Sequence, residues 1–215
     1  MFFIGLIELI EVNKMEIQNN LAYDDYQYDD ESDYEIIGGE KFIMAPAANL
    51  GHSTIIGKLF FDFINYIVDN NINAAVFVDD IDVHFPDGTL LKPDLSVICN
   101  PEIVNKEGSV NGVPDLVVEV LSRSTMKKDV GIKKDIYERN GVKEYWIIDR
   151  WSKRVDVYHL IDGKFVLDDI YNVYSDEELK NMTEDDRAKI NYGIKVSIFD
   201  DLIVDVRRIF KWWFE

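Results

Sequence analysis

Two acidic residues interrupt apolar segments of this chain where an ionised carboxylate is hard to bury. Asp94 directly precedes the run Leu-Ser-Val-Ile at residues 95–98, and Glu119 lies within the run Leu-Val-Val-Glu-Val at residues 116–120. Short runs rich in β-branched and aliphatic residues predict buried β-strands. A buried carboxylate needs a cation, a metal ion or hydrogen-bond donors beside it. Two carboxylates at neighbouring strand ends would form an oxygen site suited to Mg²⁺ or Mn²⁺.

Each of these acids also has a purely structural interpretation. Asp94 follows Pro93 and could simply cap the turn that begins a strand. Glu119 is harder to explain in this way because apolar residues flank it on both sides. Lys133 lies four residues after Asp129, a spacing that also predicts an ordinary ion pair on the surface of a helix.

The elements that would position these residues follow from the hydrophobic periodicity. Residues 34–37 and 41–45 predict a hairpin turned at Gly38-Gly39. Helical spacing predicts helices at 53–68 and 126–140, the second ended by Gly141. Further strands are predicted at 74–78, 81–85, 95–99, 116–121, 145–148, 155–159 and 165–166, an exposed helix or loop at 176–186, and a short last helix at 202–210. The order strand, helix, strand from 116 to 148 predicts a βαβ crossover and an α/β fold with a central mixed sheet.

Composition predicts one domain. The chain has 215 residues, 47% of them hydrophobic, enough to bury one well-formed core. We expect an acidic, flexible N-terminal extension at 1–33, a single domain at 34–210 and a short tail at 211–215. The apolar segment at residues 1–10 contains Glu8 and is too short to span a membrane, which requires about 20 residues. It predicts no signal peptide and hence a cytoplasmic protein, with Met1 or Met15 as the true start.

The net charge of −18 is unfavourable for binding nucleic acid, because phosphate affinity comes mainly from Lys and Arg. The charge is uneven, however. Residues 119–154 contain 10 bases and 6 acids, so the one basic stretch flanks the two acids of interest. This stretch predicts either a DNA-binding surface or an ordinary solvated helix face.

The order of these motifs resembles the putative restriction endonuclease family, formerly a domain of unknown function, within the PD-(D/E)XK nuclease superfamily. The resemblance covers about residues 33 to 210. It is carried by Asp94, Glu119, the sequence Ser-Arg-Ser-Thr at 122–125, Asp129 and Lys133 ahead of Tyr137, with further matches at 34–40, 44–46, His52 and 141–149.

This resemblance implies a restriction-endonuclease-like fold, a central mixed β-sheet flanked by helices with an N-terminal hairpin. It implies a Mg²⁺-dependent endonuclease, with Mn²⁺ as the other suitable ion, acting on DNA. Asp94 and Glu119 would hold the ion together with the main-chain carbonyl of Val120. The superfamily's Lys normally lies two residues after the second acid, where this chain has Leu121. Lys133 on the following helix would replace it and assist the attack of water.

The resemblance assigns supporting roles to other residues. Glu40, His52 and Asp129 would lie beside the ion ligands, and Arg123, Ser124 and Thr125 would contact a phosphate. A homodimer without membrane contact is expected.

Two other functions remain open. One is a catalytically silent dimeric binding or scaffold module that keeps the nuclease fold, and the other is a phosphodiesterase acting on RNA or small nucleotides. If the nuclease hypothesis holds, the two acids share one face of the sheet and at least one of them titrates above its usual pKa. Lys133→Ala is then expected to abolish cleavage with little effect on folding.

Overall fold

The computed structural model describes residues 34–44, 50–79, 81–105, 108–123 and 126–211. The predicted N-terminal extension at 1–33 and the predicted tail beyond Lys211 lie outside the described residues, so the domain limits remain predictions.

The predicted hairpin is confirmed. Its strands are β1 (Tyr34–Ile37) and β2 (Glu40–Ile43), and they pair antiparallel. Gly38 and Gly39 both adopt positive φ, at 62° and 82°, as a tight hairpin turn requires. The hairpin belongs to a five-stranded sheet of order β2-β1-β5-β4-β7, completed by three short strands: β4 (Val83–His84), β5 (Leu90–Leu91) and β7 (Val110–Asn111).

The central sheet has six strands in the order β11-β10-β9-β8-β6-β3. They are β3 (Ala75–Val78), β6 (Leu95–Ile98), β8 (Leu116–Val120), β9 (Glu144–Asp149), β10 (Arg154–Ile161) and β11 (Lys164–Asn172). Strands β8 and β9 are parallel and the other neighbours are antiparallel, so the sheet is mixed, as predicted. A separate antiparallel pair is formed by β12 (Gly193–Lys195) and β13 (Ile203–Asp205).

Helices connect these strands. The long helix α1 spans Leu50–Asp69. A second helical segment runs from α2 (Met126–Lys128) through a π-helical turn (Asp129–Lys133) to α3 (Lys134–Asn140), and it ends at Gly141 with φ 91°. A 3-10 turn (Pro101–Ile103) and the short helices α4 (Asp176–Asn181), α5 (Glu184–Ala188) and α6 (Val206–Phe210) complete the described elements. Among the described residues, no helix combines the length and apolar character that a membrane crossing requires.

The central strand β8 is buried on both faces. Val118 and Val120 pack in the core cluster that contains α1, whereas Val117 packs in the cluster that contains α3. Side chains alternate along a strand, so Glu119 points to the same side as Val117. Glu119 is therefore only 2% exposed and lies beneath the helical segment that carries Lys133.

The structure differs from the predictions in several details. Helix α1 begins at Leu50 instead of residue 53, which puts His52 inside its first turn. Strand β11 has nine residues instead of two, because its exposed polar residues hide the strand pattern. Strands β5, β7, β12 and β13 were not predicted, since two or three residues are too few to show periodicity. Strand β13 takes the first part of the helix predicted at 202–210, which begins only at Val206.

Candidate active site

A buried cation lies at the centre of the candidate site. The Lys133 ammonium lies 2.7 Å from Glu35 Oε1, 3.0 Å from Glu119 Oε1 and 3.7 Å from Asp129 Oδ1. All four residues are at most 2% exposed. The interpretation of Asp129 and Lys133 as a surface ion pair is therefore wrong, because the π turn that carries them packs against the sheet.

The charged state of this cluster follows from its geometry. Burial acts to lower the pKa of Lys133, but the charges of Glu119, Glu35 and Asp129 outweigh it, so the pKa is raised. Burial raises the pKa of Glu119 well above its usual value, and the charges of Asp94 and Asp129 add to this, against the opposing effect of Lys133. The sequence predicts that at least one of the two acids titrates above its usual pKa, and the pKa of Glu119 is raised in this way.

Two tyrosines fix the acids in place. The Tyr137 hydroxyl on α3 donates to Glu119 Oε1 at 2.6 Å, so this oxygen accepts from both the phenol and the ammonium. The Tyr145 hydroxyl on β9 donates to the Asp129 carbonyl at 3.0 Å. The two rings pack with centroids 5.0 Å apart. The helix and the sheet are thereby joined at the acids by polar contacts as well as by apolar packing.

The strand register places Asp94 opposite Glu119. Strands β6 and β8 are antiparallel with Leu95 paired to Val118, so the residue before Leu95 faces the residue after Val118. The charge of Asp94 acts on Glu119, while the carboxylate of Asp94 itself contacts His52 of α1. The Val120 amide donates to Asp94 Oδ2 at 2.6 Å, which fixes the Asp94 carboxylate at the end of β8.

A histidine and a third acid extend the site from Asp94. His52 Nε2 lies 3.0 Å from Asp94 Oδ2, and the Asp79 amide donates to the Asp94 carbonyl at 3.1 Å. One ligand atom each from His52, Asp79 and Asp94 lies within 4.8 Å of the others, a spacing that could hold a metal ion. Burial acts to lower the pKa of His52, but Asp94 and Asp79 raise it above its usual value overall.

The structure places the residues singled out from the sequence in two groups. Glu119 and Asp129 lie at the Lys133 ammonium, and Asp94 lies at His52 and the end of β8, so a shared site of Asp94, Glu119 and Lys133 stays a prediction. Val120 contributes its amide to Asp94, and its carbonyl as an ion ligand stays a prediction.

The hairpin acid at the ammonium is Glu35, which was not singled out from the sequence, while Glu40 is exposed on β2. The structure buries Glu35 and Ile37 of β1, whereas apolar alternation in Tyr-Glu-Ile-Ile would have buried Tyr34 and Ile36, so the sequence pattern hides this acid. Asp79 was also missed, because its contact with Asp94 depends on the pairing of β3 with β6.

Of the three residues predicted to contact phosphate, the structure describes only the first. Arg123 is exposed in the loop after β8. Ser124 and Thr125 lie outside the described residues.

The basic stretch at 119–154 does not form one cationic surface. Lys133 is buried among acids, and three other cations form ion pairs with carboxylates: Arg139 with Asp87 at 2.8 Å, Lys143 with Asp115 at 2.7 Å, and Arg154 with Asp156. The Lys134 ammonium lies 3.6 Å from the centroid of the Tyr158 ring. At least five of the ten cations, these four and Lys128, thus lie within 4.0 Å of a carboxylate, and less of the positive charge is available to phosphates than the count along the sequence predicts.

Comparisons with known proteins identify a sequence family and a related fold. The family model described as "Putative restriction endonuclease" (Uma2) matches residues 22–184. A crystal structure of a putative nuclease belonging to DUF820 from Anabaena variabilis superposes with a TM-score of 0.55 at 18% identity, covering 82% of this chain and 89% of that one. An uncharacterized protein of Synechocystis sp. is 39% identical over 71 residues, which span 33% of this chain and 37% of the relative. The fold is thus the restriction-endonuclease-like fold that the sequence predicts.

Proposed function

This chain belongs to the putative restriction endonuclease family, and we propose that it is a metal-dependent endonuclease that hydrolyses phosphodiester bonds of DNA. The observation that carries this proposal is the pair Asp94 and Glu119. Asp94 directly precedes β6, which pairs with the strand β8 that carries Glu119, and a buried ammonium and a phenol hold one oxygen of Glu119.

The donor set fits a hard divalent ion. Asp94 uses Oδ2 for His52 and the Val120 amide, and Glu119 uses Oε1 for Lys133 and Tyr137. These contacts occupy Asp94 Oδ2 and Glu119 Oε1, so an ion would be held by the other oxygen of each carboxylate. Carboxylate oxygens are the ligands that Mg²⁺ and Mn²⁺ prefer, and the Val120 carbonyl would be a third.

Charge supports the same conclusion. Glu35, Glu119 and Asp129 surround one ammonium, so the carboxylates outnumber the cations in a buried space. Lys128 reaches Glu35 only at 4.0 Å and is partly exposed. Buried carboxylates without compensation are costly. A divalent ion between Asp94 and Glu119 would supply positive charge that the protein itself lacks there.

Each residue has a definite role in the proposed reaction. A divalent ion held by Asp94, Glu119 and the Val120 carbonyl would polarise a phosphodiester oxygen. Tyr137 and Lys133 fix Glu119 so that its free oxygen stays in place. Because three carboxylates keep Lys133 protonated, its ammonium can stabilise the negative charge that develops on the phosphate as water attacks.

The alternative of a silent scaffold predicts a salt bridge that fills the gap between the two acids. Each acid instead has its own basic partner: Lys133 contacts Glu119, and His52 contacts Asp94. In the described part of the chain no cation bridges the pair. The silent module therefore stays the alternative function, and RNA and small nucleotides stay the alternative substrates because of the net charge of −18.

A plasmid assay tests the proposal. Supercoiled DNA is incubated with the protein and Mg²⁺ or Mn²⁺, and nicked and linear products are measured. Wild type should cleave, and Glu119→Gln should not, because the amide keeps the size of the side chain and loses the charge that holds the ion. Glu102→Gln, an exposed acid on the 3-10 turn, is the matched control and should cleave like wild type.

Two results would overturn the assignment. The first is cleavage by Glu119→Gln at the wild-type rate. The second is a folded wild-type protein that cleaves neither plasmid, RNA nor nucleotide substrates with either ion. That result would favour the silent module.

A further inference from the structure

A small pocket with apolar walls at Ile55, Ile209 and Phe210 lies at the start of α1, outside the acidic cluster. Gly51 and Thr54 line it from the beginning of the helix, and Lys211 lines it from the end of α6. Arg150 and Lys153 line it from the turn between β9 and β10. Two of these three segments thus bring three cations to the rim of one small pocket.

This concentration of positive charge is unusual for the chain. The net charge is −18, and several cations of the basic stretch are paired with acids. Within the described residues, no carboxylate lies at ion-pair distance from Arg150 or Lys211. The first turn of α1 contains no acid, so its partial positive charge adds to that of the side chains.

Lys58, next to this pocket, is also surrounded by positive charge. The Lys58 ammonium donates to the Lys211 carbonyl. Burial lowers the pKa of Lys58, and the charges of Lys211 and Arg208 lower it further. The positive charges of Lys58, Arg208 and Lys211 repel one another here, and a bound anion would reduce this repulsion.

The pocket adjoins the candidate active site. Gly51 directly precedes His52, which contacts Asp94. Strands β8 and β9 are parallel with Val120 paired to Ile148, so Arg150 follows the end of β9 at the edge where β8 also ends. The charge of Arg150 acts on His52.

An aromatic ring accompanies the cations. Trp151 is 42% exposed, and the Arg150 guanidinium lies 4.2 Å from its ring centroid. Surface cations with an exposed aromatic ring form the combination that binds nucleic-acid strands, by phosphate contact and base stacking.

We propose that this pocket binds a backbone phosphate of the same nucleic-acid strand whose phosphodiester lies at Asp94 and Glu119. Arg150 and Lys211 contact the phosphate oxygens, and the partial positive charge at the start of α1 favours the same anion. The subsite rests on the proposed function for the identity of the strand. It assigns the nucleic-acid contact to residues 51–54, 150–153 and 211, instead of to the whole basic stretch.

Binding and cleavage are measured separately to test the subsite. Arg150→Gln and Lys211→Gln are made in the Glu119→Gln background, in which bound DNA stays intact. Fluorescence anisotropy gives the Kd of a labelled single-stranded DNA over roughly 50 to 200 mM salt. Lys180→Gln, an exposed lysine on α4, is the matched charge control.

Each pocket variant should raise Kd at low salt and reduce the magnitude of the salt slope by about 0.7, the value for one phosphate contact on a single strand. The control should change neither quantity. The two pocket variants should also bind RNA of the same sequence more weakly, by the same factor as DNA, because the contact is to phosphate.

The possible failures are distinguishable. If the salt slopes of Arg150→Gln and Lys211→Gln equal that of Lys180→Gln while wild type cleaves DNA, the subsite is wrong and the proposed function stands. If both pocket variants reduce the slope but wild type never cleaves, the subsite stands and the enzyme assignment fails. If the Glu119→Gln protein and wild type both bind no strand, even at low salt, both proposals are wrong.

Discussion

Replacing Lys133 by Met should destabilise the fold substantially, contrary to what an exposed helix position would predict. The ammonium is 2% exposed and lies within 3.0 Å of both Glu35 and Glu119. Methionine keeps the length of the side chain and removes the charge, which leaves buried carboxylates without their cation. Removing one partner of a buried ion pair costs about 3–5 kcal/mol.

This loss is measurable and should not unfold the protein. Total stabilities of about 5–15 kcal/mol are usual, so most variants of this kind remain folded. For a chain of this size, 1 kcal/mol shifts Tm by about 2–4 °C, so Tm should fall by about 6–20 °C. Urea denaturation followed by the fluorescence of the buried Trp146 gives the free energy of unfolding directly.

The adjacent lysine provides the control. The Lys134 ammonium lies 3.6 Å from the centroid of the Tyr158 ring, a contact worth about 0.5–1 kcal/mol at an exposed site. Lys134→Met should therefore cost clearly less than Lys133→Met. Equal and small costs for the two variants would refute the buried cluster. Loss of cleavage in Lys133→Met is informative only in samples shown to be folded, which corrects the expectation that Lys133→Ala would leave folding intact.

Three further outcomes are expected. Glu35→Gln should reduce plasmid cleavage and Glu40→Gln should not, because only the first acid contacts Lys133; equal activities would remove Glu35 from the site. Millimolar Mg²⁺ or Mn²⁺ should raise the Tm of wild type but not of Glu119→Gln, since an ion that binds only the folded state stabilises it, and equal shifts would contradict an ion at Glu119. The carboxylate of Glu144 raises the pKa of His159, so the stabilisation by His159 is complete below its unfolded pKa of about 6.5 and is lost as pH rises through the folded value. The stability difference between wild type and His159→Gln in urea should therefore shrink from about pH 6 to pH 8, and a constant difference would contradict this ion pair.

The parts of the fold that local sequence determines were predictable. Gly38-Gly39 between two strand patterns predicts the hairpin, because both positions need positive φ. The apolar run around Glu119 predicts a central strand, because a strand buried on both faces has no polar alternation. The two acids were recognised because a carboxylate in such a run requires a partner.

The parts that depend on tertiary pairing were not predictable. Lys133 looked like a surface residue because it lies among other charged residues, and only the packing of the π turn against β8 buries it. Asp79 reaches Asp94 through the antiparallel register of β3 and β6, which the sequence does not specify. The balance of charges across 119–154 likewise depends on acids such as Asp87 and Asp115 outside that stretch.

The edge of the central sheet where β6 begins and β8 and β9 end explains how a strongly acidic protein could act on a polyanion. Acids face inward there at Asp94 and Glu119, where a cation would balance them, and cations lie outward at Arg150 and Lys211. Beyond about 8–10 Å, salt screens exposed charges, so a bound strand responds to this local arrangement more than to the net charge. The remaining acidic surface would repel every part of the strand that leaves this edge. Affinity should therefore be modest and strongly dependent on salt, and cleavage should be limited to strands that reach both the acids and the cationic pocket.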